Sequence, residues 1–157
     1  MIKIAEIKNG DTEKAYQFCM GIFEELGWDK RFSYGLKNLK DFFNNPKEAF
    51  FLAKEGKRII GCGGLKELSK DNGLMKRFYV AKDFRGKGVA CLIFKKIRGF
   101  AEKQGYKVII LDTFKNNFRA QKFYQKQGFR SFKPKPNENW KESLCPELFE
   151  FLKLKLK

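Results

Sequence analysis

The chain has 157 residues, a formal net charge of +16 and 43% hydrophobic residues, and this composition excludes wholesale disorder because so apolar a chain can bury a core. The length fits one domain over residues 1–157, and no apolar run reaches the ~20 residues that a membrane-spanning helix needs. The chain contains no histidine and no C-x-x-C pair, which excludes histidine-assisted nucleophiles and argues against a metal site.

The positive charge is unevenly distributed. Residues 1–56 carry equal numbers of acidic and basic side chains, so the whole surplus lies in residues 57–157. Such a field favours an anionic partner, which could be nucleic acid, an acidic membrane surface or a small polyphosphate. It also suits plain solubility, and charge alone does not choose among these. The alternating start of the chain lacks the features of a signal peptide, so a cytoplasmic protein is expected.

Hydrophobic periodicity predicts one mixed α/β domain in the order β-α-α-β-β-β-α-β-α-β-β. Predicted strands cover residues 2–7, 49–55, 58–65, 74–80, 107–111, 129–132 and 148–157. One predicted helix begins after Asp11, and three others cover about 31–44, 86–104 and 117–127. The strands between 49 and 80 are joined by tight turns and predict an antiparallel meander. The helix and apolar strand that follow predict a parallel β-α-β unit over residues 74–111.

A glycine-containing loop opens the predicted central helix. It reads Arg85-Gly86-Lys87-Gly88-Val89-Ala90. Glycines let backbone N–H groups approach an anion closely, and the helix N-terminus and the two basic side chains add positive charge. The sequence therefore predicts a pyrophosphate cradle here, although a glycine pair also suits a loop that only needs flexibility.

Two other nucleotide-binding motifs are excluded. The pattern G-x-x-x-x-G-K-[ST] is absent, and Cys91 stands where the third glycine of G-x-G-x-x-G belongs. Five residues also separate the preceding strand from Gly86, whereas a dinucleotide-binding turn follows its strand directly.

The loop resembles the phosphate signature [RQ]-x-x-G-x-[GA] of the GNAT superfamily of acyl-CoA N-acyltransferases. Downstream, Asn117-x-x-Ala120-x-x-Phe123-Tyr124-x-x-x-Gly128-Phe129 is similar to the second cofactor-binding segment of that family. The element order also matches the GNAT fold, and the resemblance covers nearly the whole chain. Both motifs at this spacing make the resemblance specific.

The resemblance implies acetyl-CoA as the acyl donor, bound where the fourth and fifth strands separate, and no metal. It implies a pantetheine arm paired with the backbone of Phe78, Tyr79 and Val80 and contacted by Asn117 near Ala120. It implies a pyrophosphate held by the amides of Arg85, Gly86, Lys87, Gly88, Val89 and Ala90.

The resemblance also implies direct transfer to a neutral amine. Tyr124 matches the family's general acid, and a backbone N–H near Tyr79 or Val80 would stabilise the oxyanion. The fourth strand lacks the carboxylate that serves many members as base. Glu67 and Asp112, at strand ends, are the candidate bases, and a water chain to bulk solvent is the alternative.

The expected partner is a small-molecule or peptide amine, with no nucleic acid and no membrane, and a homodimer is left open. Segments 27–35 and 133–146 flank the gap in the family, and an acceptor amine that also carries a carboxylate or phosphate would suit the basic field. Two other functions remain open: a basic nucleic-acid-binding domain and a catalytically silent acyl-CoA sensor.

Overall fold

The structure is a computed structural model that describes all 157 residues. Its strands are β1 (Ile2–Glu6), β2 (Ala49–Glu55), β3 (Arg58–Glu67), β4 (Asn72–Val80), β5 (Val108–Phe114), β6 (Arg130–Ser131) and β7 (Phe149–Lys155). Its helices are α1 (Thr12–Leu26), α2 (Leu39–Phe42), α3 (Val89–Lys103) and α4 (Phe118–Lys126). The predicted element order is confirmed. None of these helices is long and apolar enough to cross a membrane.

One element differs from the prediction. The helix expected over about 31–44 is broken into two short 3-10 turns and the four-residue α2. Gly35 is the cause, because it adopts a left-handed φ of 80° and an α-helix cannot continue through that conformation. A Cβ at this position would also lie 2.5 Å from the Phe42 ring, so the close approach needs glycine.

All seven strands form one sheet in the order β1-β2-β3-β4-β5-β7-β6. Strands β4 and β5 pair in parallel, as the predicted β-α-β unit requires, and every other pair is antiparallel. Helix α3 buries one side against β2 and β3 on one face of the sheet. Helix α1 covers the opposite face, so the sheet has a core cluster on each side. Each large apolar side chain buried in these layers contributes about 1.5–3 kcal/mol.

The glycines of β3 set how closely α3 approaches the sheet. A Cβ at Gly61 would lie 2.7 Å from the Ile93 side chain, and one at Gly63 would lie 2.9 Å from that of Ile97. The close backbone approach expected from these glycines is therefore present. The glycine-containing loop of residues 85–90, called the phosphate loop below, leads into the N-terminus of α3. This packing therefore also fixes the position of that loop.

Strands β4 and β5 separate halfway along their length. Their parallel pairing runs from Asn72 opposite Val108 to Met75 opposite Leu111 and then stops. Just beyond this point β4 bulges, because its register with β3 shifts and Arg77 adopts a positive φ of 60°. Beyond Leu111, β5 pairs only with β7. The splay opens a gap between the two central strands.

Candidate active site

The gap between β4 and β5 holds a cavity of about 70 Å³. Its walls come from β4 residues 75–79, β5 residues 112–114, the start and middle of α4, and Glu142. Aromatic side chains from the first third of the chain close one side. The cavity therefore collects side chains from β4, β5, the α4 segment and the loop that holds Glu142, while the glycine-containing loop of residues 85–90 lies outside its lining.

The phosphate loop leads into α3, and its backbone donors are free. Gly86 and Gly88 have left-handed φ angles of 76° and 86°, which L side chains rarely adopt. The backbone N–H groups of residues 86–91 make no well-formed hydrogen bond within the protein. A Cβ added at either glycine would meet no atom within 4 Å. The loop thus offers a row of unpaired donors beside open space, which is the geometry that an anion at a helix N-terminus requires.

Arg85 has a structural task in this loop. Its guanidinium makes two hydrogen bonds to the Glu25 carboxylate, at 2.5 and 2.9 Å, and one of 3.0 Å to the carbonyl of Val80. The backbone N–H of Arg85 donates to the carbonyl oxygen of Lys82 at 3.4 Å, so the row of free donors begins at Gly86. The hydrogen bond from Arg85 lowers the pKa of Glu25 below its usual range, against a smaller effect of burial. This clamp joins the loop to α1 and to the end of β4.

Asn117 and Ala120 line the cavity at the start of α4. The Asn117 side-chain oxygen accepts a 3.4 Å hydrogen bond from the Ala120 N–H and so caps the helix. That bond orients the Asn117 amide and leaves its NH₂ group free to donate.

Tyr124 lies on the inward face of α4 and is 5% exposed. Its ring is held by Phe78 and Phe123, with centroid distances of 6.0 and 5.7 Å. Its hydroxyl makes no hydrogen bond within the protein, although the residue lines the cavity. Burial raises the pKa of Tyr124 well above its usual value, and the nearby Asp112 carboxylate and Tyr79 raise it further. Tyr124 is therefore a protonated phenol with a free O–H at neutral pH.

A buried ionic cluster forms the opposite part of the wall. Lys76 of β4, which is 5% exposed, contacts Asp112 at 3.2 Å and Glu142 at 2.9 Å. The Trp140 indole N–H donates to Asp112 Oδ2 at 2.7 Å, and the Tyr34 hydroxyl donates to Glu142. Two carboxylates thus share one lysine, so the three ionised groups carry one surplus negative charge.

Within this cluster the two carboxylates differ. Both donors to Asp112 reach Oδ2, while Oδ1 accepts no hydrogen bond and the side chain keeps 11% of its surface exposed. Burial raises the pKa of Asp112 despite Lys76, and the charge of Glu142 raises it further. Burial acts in the same direction on Glu142, but its contacts with Lys76 and Tyr34 outweigh burial and lower the Glu142 pKa. Asp112 is therefore the better proton acceptor of the two.

Comparison with known proteins agrees with this architecture. A family model described as the acetyltransferase (GNAT) family matches residues 19–129, which is more than half of the chain. The chain belongs to the GNAT acetyltransferase family. A Bacillus subtilis relative named uncharacterized N-acetyltransferase YsnE is 34% identical over 102 residues, which are 64% of this chain and 65% of the relative. Three further curated relatives match over only 30% to 36% of their own length.

Solved structures of GNAT proteins share the fold. A crystal structure of a GNAT-family acetyltransferase from Staphylococcus aureus Mu50 is 24% identical, covers 100% of both chains and has a TM-score of 0.84. A GNAT-family acetyltransferase from Elizabethkingia anophelis, crystallised with acetyl-CoA bound, is 20% identical, covers 99% of this chain and 98% of its own, and has a TM-score of 0.67.

Not every residue expected from the GNAT resemblance reaches the cavity. Phe78, Tyr79, Asn117, Ala120, Tyr124 and Asp112 line it. Val80 and residues 85–90 lie outside the lining of this cavity. Glu67 also lies outside it, because it faces Gly73 at the end of β4 opposite to the splay. There it is exposed and contacts Lys47 at 3.6 Å and Asn45 at 3.4 Å. The structure gives Glu67 no route to the reacting atoms.

Sequence reasoning missed Lys76, Arg77 and Glu142. Two consecutive basic residues stand inside the otherwise apolar strand β4, and both are buried. Such residues need nearby polar or acidic partners, so the pair was a usable signal that carboxylates converge on this strand. No local signal marked Glu142, which lies in an aperiodic loop. No group of three His, Cys, Asp or Glu side chains that could hold a metal ion is present.

Proposed function

We propose that this chain is an acetyl-CoA-dependent N-acetyltransferase that transfers the acetyl group directly to a primary amine. The observation that carries this proposal is the cavity at the splay of β4 and β5. It brings together an unpartnered phenol, Tyr124, and a carboxylate with a free oxygen, Asp112, in a family of acetyltransferases.

The residues present fit acetyl-CoA. The free N–H groups of residues 86–91 would hold the pyrophosphate, and the exposed Lys87 adds positive charge beside them. The backbone of residues 78–80 and the Asn117 amide would hold the pantetheine arm. Acetyl-CoA supplies a thioester with an electrophilic carbonyl carbon. Its presence in the Elizabethkingia protein of the same fold supports the assignment.

The proton steps fall to two side chains on different elements. As the amine nitrogen bonds to the acetyl carbon, Asp112 Oδ1 accepts the amine proton, because this oxygen is free and the Asp112 pKa is raised. As the carbon–sulfur bond breaks, the Tyr124 hydroxyl donates a proton to the departing sulfur. The products are an N-acetyl amine and CoA with a free thiol, and return of the proton from Asp112 to the Tyr124 phenolate through solvent restores both groups. An acceptor that arrives as an ammonium first releases one further proton to solvent.

The experiment that tests the proposal has two measurements. Acetyl-CoA should raise the melting temperature of the protein, because a ligand that binds only the folded state stabilises it. A panel of primary amines with acetyl-CoA should release CoA thiol, read with a thiol reagent. Binding without thiol release from any amine would instead indicate an acyl-CoA sensor, and no binding would refute the whole assignment.

The nucleic-acid alternative lacks stacking residues. Only Phe118 among the aromatic residues is exposed, at 68%, and the others are buried or partly buried. Single-stranded nucleic acid usually binds through exposed aromatic rings as well as charge. A stabilisation by short oligonucleotides equal to that by acetyl-CoA would reopen this alternative.

A further inference from the structure

Arg77 is a buried cation without an anionic partner. It lines the cavity, is 6% exposed and contacts no carboxylate. Its guanidinium donates to the carbonyl of Phe32 at 2.6 Å and to that of Tyr34. Its Nε–H is enclosed and has no acceptor. Buried arginines are normally paired with an anion, but the surplus negative charge of the Lys76 cluster acts on Arg77 through Glu142 without contacting it.

The backbone holds Arg77 in this position. At the β4 bulge the residue adopts a φ of 60°, a left-handed conformation that is strained for a residue other than glycine. The bulge directs the guanidinium to residues 32 and 34, with its carbon 4.8 Å from the centroid of the Tyr34 ring. The cation is thereby fixed on the side of the cavity formed by residues 28–34, away from the phosphate loop.

A negative group lies next to this positive one. Lys76, the neighbour of Arg77, is shared by Asp112 and Glu142, which leaves a surplus negative charge. Asp112 Oδ1 is the free oxygen of that cluster. The cavity therefore offers one anionic and one cationic group from adjacent strands, a pattern complementary to a ligand that carries both an ammonium and a carboxylate.

The remaining wall near these groups is apolar. Trp28 and Phe114 pack with ring centroids 5.1 Å apart, and Phe149 lies 4.6 Å from Phe114. All three line the same cavity as Arg77 and Asp112. These rings can bury an apolar side chain, which would gain from its removal from water.

We propose that the acceptor is a zwitterionic α-amino acid with an apolar side chain. Its carboxylate would bind Arg77, its ammonium would face Asp112 Oδ1, and its side chain would lie on the aromatic wall. This inference rests on the proposed N-acetyltransferase activity and makes Arg77 the residue that selects a carboxylate-bearing acceptor.

The first test uses the unmodified protein. CoA release is measured with L-phenylalanine and L-leucine, with their amides, and with phenethylamine and isoamylamine, which lack the carboxylate. The amino acids should exceed both carboxylate-free series in kcat/KM by about 10- to 100-fold, the range expected for a charge-assisted hydrogen bond. Equal or faster acetylation of the amides or of the decarboxylated amines would overturn the inference while leaving the proposed function intact. Acetyl-CoA binding with no amine acetylated would overturn both.

The second test changes the selecting residue. In Arg77→Gln, the ratio of kcat/KM for an amino acid over its decarboxylated amine should fall to near one, and Arg77→Lys should retain part of it. The ratio is taken within one variant, so a loss of folded protein cancels. Arg31→Gln is the matched control, because Arg31 lies in the segment that Arg77 contacts but is exposed and pairs with Asp29. An unchanged ratio in Arg77→Gln would overturn the inference, and the substrate panel decides alone if that variant does not fold.

Discussion

Replacing Tyr124 by phenylalanine tests the proposed proton donor with a minimal change. The substitution removes one oxygen and keeps the ring that packs against Phe78 and Phe123. Because the hydroxyl has no partner in the protein, its loss strands no buried donor or acceptor. The folded state should therefore keep its stability within about 0.5 kcal/mol.

The magnitude follows from the chemistry of the leaving thiolate. General acid catalysis contributes about 10²- to 10⁴-fold, and the low end applies here because a thiol with a pKa of ~8.5 leaves tolerably well without a proton. We expect kcat to fall about 100-fold near pH 7, or ~2.7 kcal/mol of transition-state free energy. The Kd for acetyl-CoA should stay constant. Since burial raises the Tyr124 pKa, the phenol stays protonated through the assay range, and the deficit should shrink only as pH passes the pKa of the thiol.

A second buried tyrosine supplies the matched control. Tyr106 is 3% exposed and donates its hydroxyl to the Lys47 carbonyl at 2.8 Å, and it does not line the cavity. Tyr106→Phe should cost about 1 kcal/mol of unfolding free energy and leave kcat unchanged. Steady-state CoA release and urea denaturation of both variants are the assays. If Tyr124→Phe keeps the wild-type kcat, or loses acetyl-CoA affinity in parallel with kcat, Tyr124 is not the acid.

Two further comparisons probe the phosphate loop and the base. Gly88→Ala should raise the KM for acetyl-CoA about 10-fold, because alanine is strained at a φ of 86° and would shift the free N–H row. Gly105→Ala shares the positive φ but lies outside the loop, so it should cost only ~1 kcal/mol of stability and leave this KM unchanged. Equal KM values in the two variants would remove the loop from cofactor binding. If Asp112 is the base, kcat/KM falls as pH drops below its pKa. Trp140→Phe removes a hydrogen bond that lowers the Asp112 pKa, so the acid limb of the kcat/KM profile should move to higher pH. Glu142→Gln removes a charge that raises the Asp112 pKa, so the acid limb should move to lower pH. If the acid limbs of the two variants move in the same direction, or do not move, Asp112 is not the base.

The fold was largely predictable because its signals are local. Apolar runs joined by tight turns predicted the strands of the meander, and the shift to helical period after residue 80 predicted the β-α-β unit that α3 completes. The helix expected over 31–44 failed because its apolar spacing was real but Gly35 turns left-handed against the Phe42 ring. The contact between Gly35 and Phe42 joins residues seven positions apart through a turn. The spacing of apolar residues alone does not distinguish such a turn from one face of a helix.

In the candidate site, too, residues with local signals could be predicted and residues that depend on long-range contacts could not. The loop from Gly86 to Gly88 was predictable because the backbone conformation that suits an anion lies within one element, and Tyr124 was predicted from the GNAT resemblance. Asp112 was one of two candidate bases, and the sequence could not choose between them or predict the Lys76, Arg77 and Glu142 contacts, because these depend on which segments a buried charge draws together. Burying Lys76 without anions would cost several kcal/mol, so the chain supplies Asp112 from the next strand and Glu142 from 30 residues further on. Arg77 receives no such contact from the chain, although the surplus negative charge of the Lys76 cluster lies nearby, and its unpaired guanidinium is the physical reason to look for a carboxylate on the substrate.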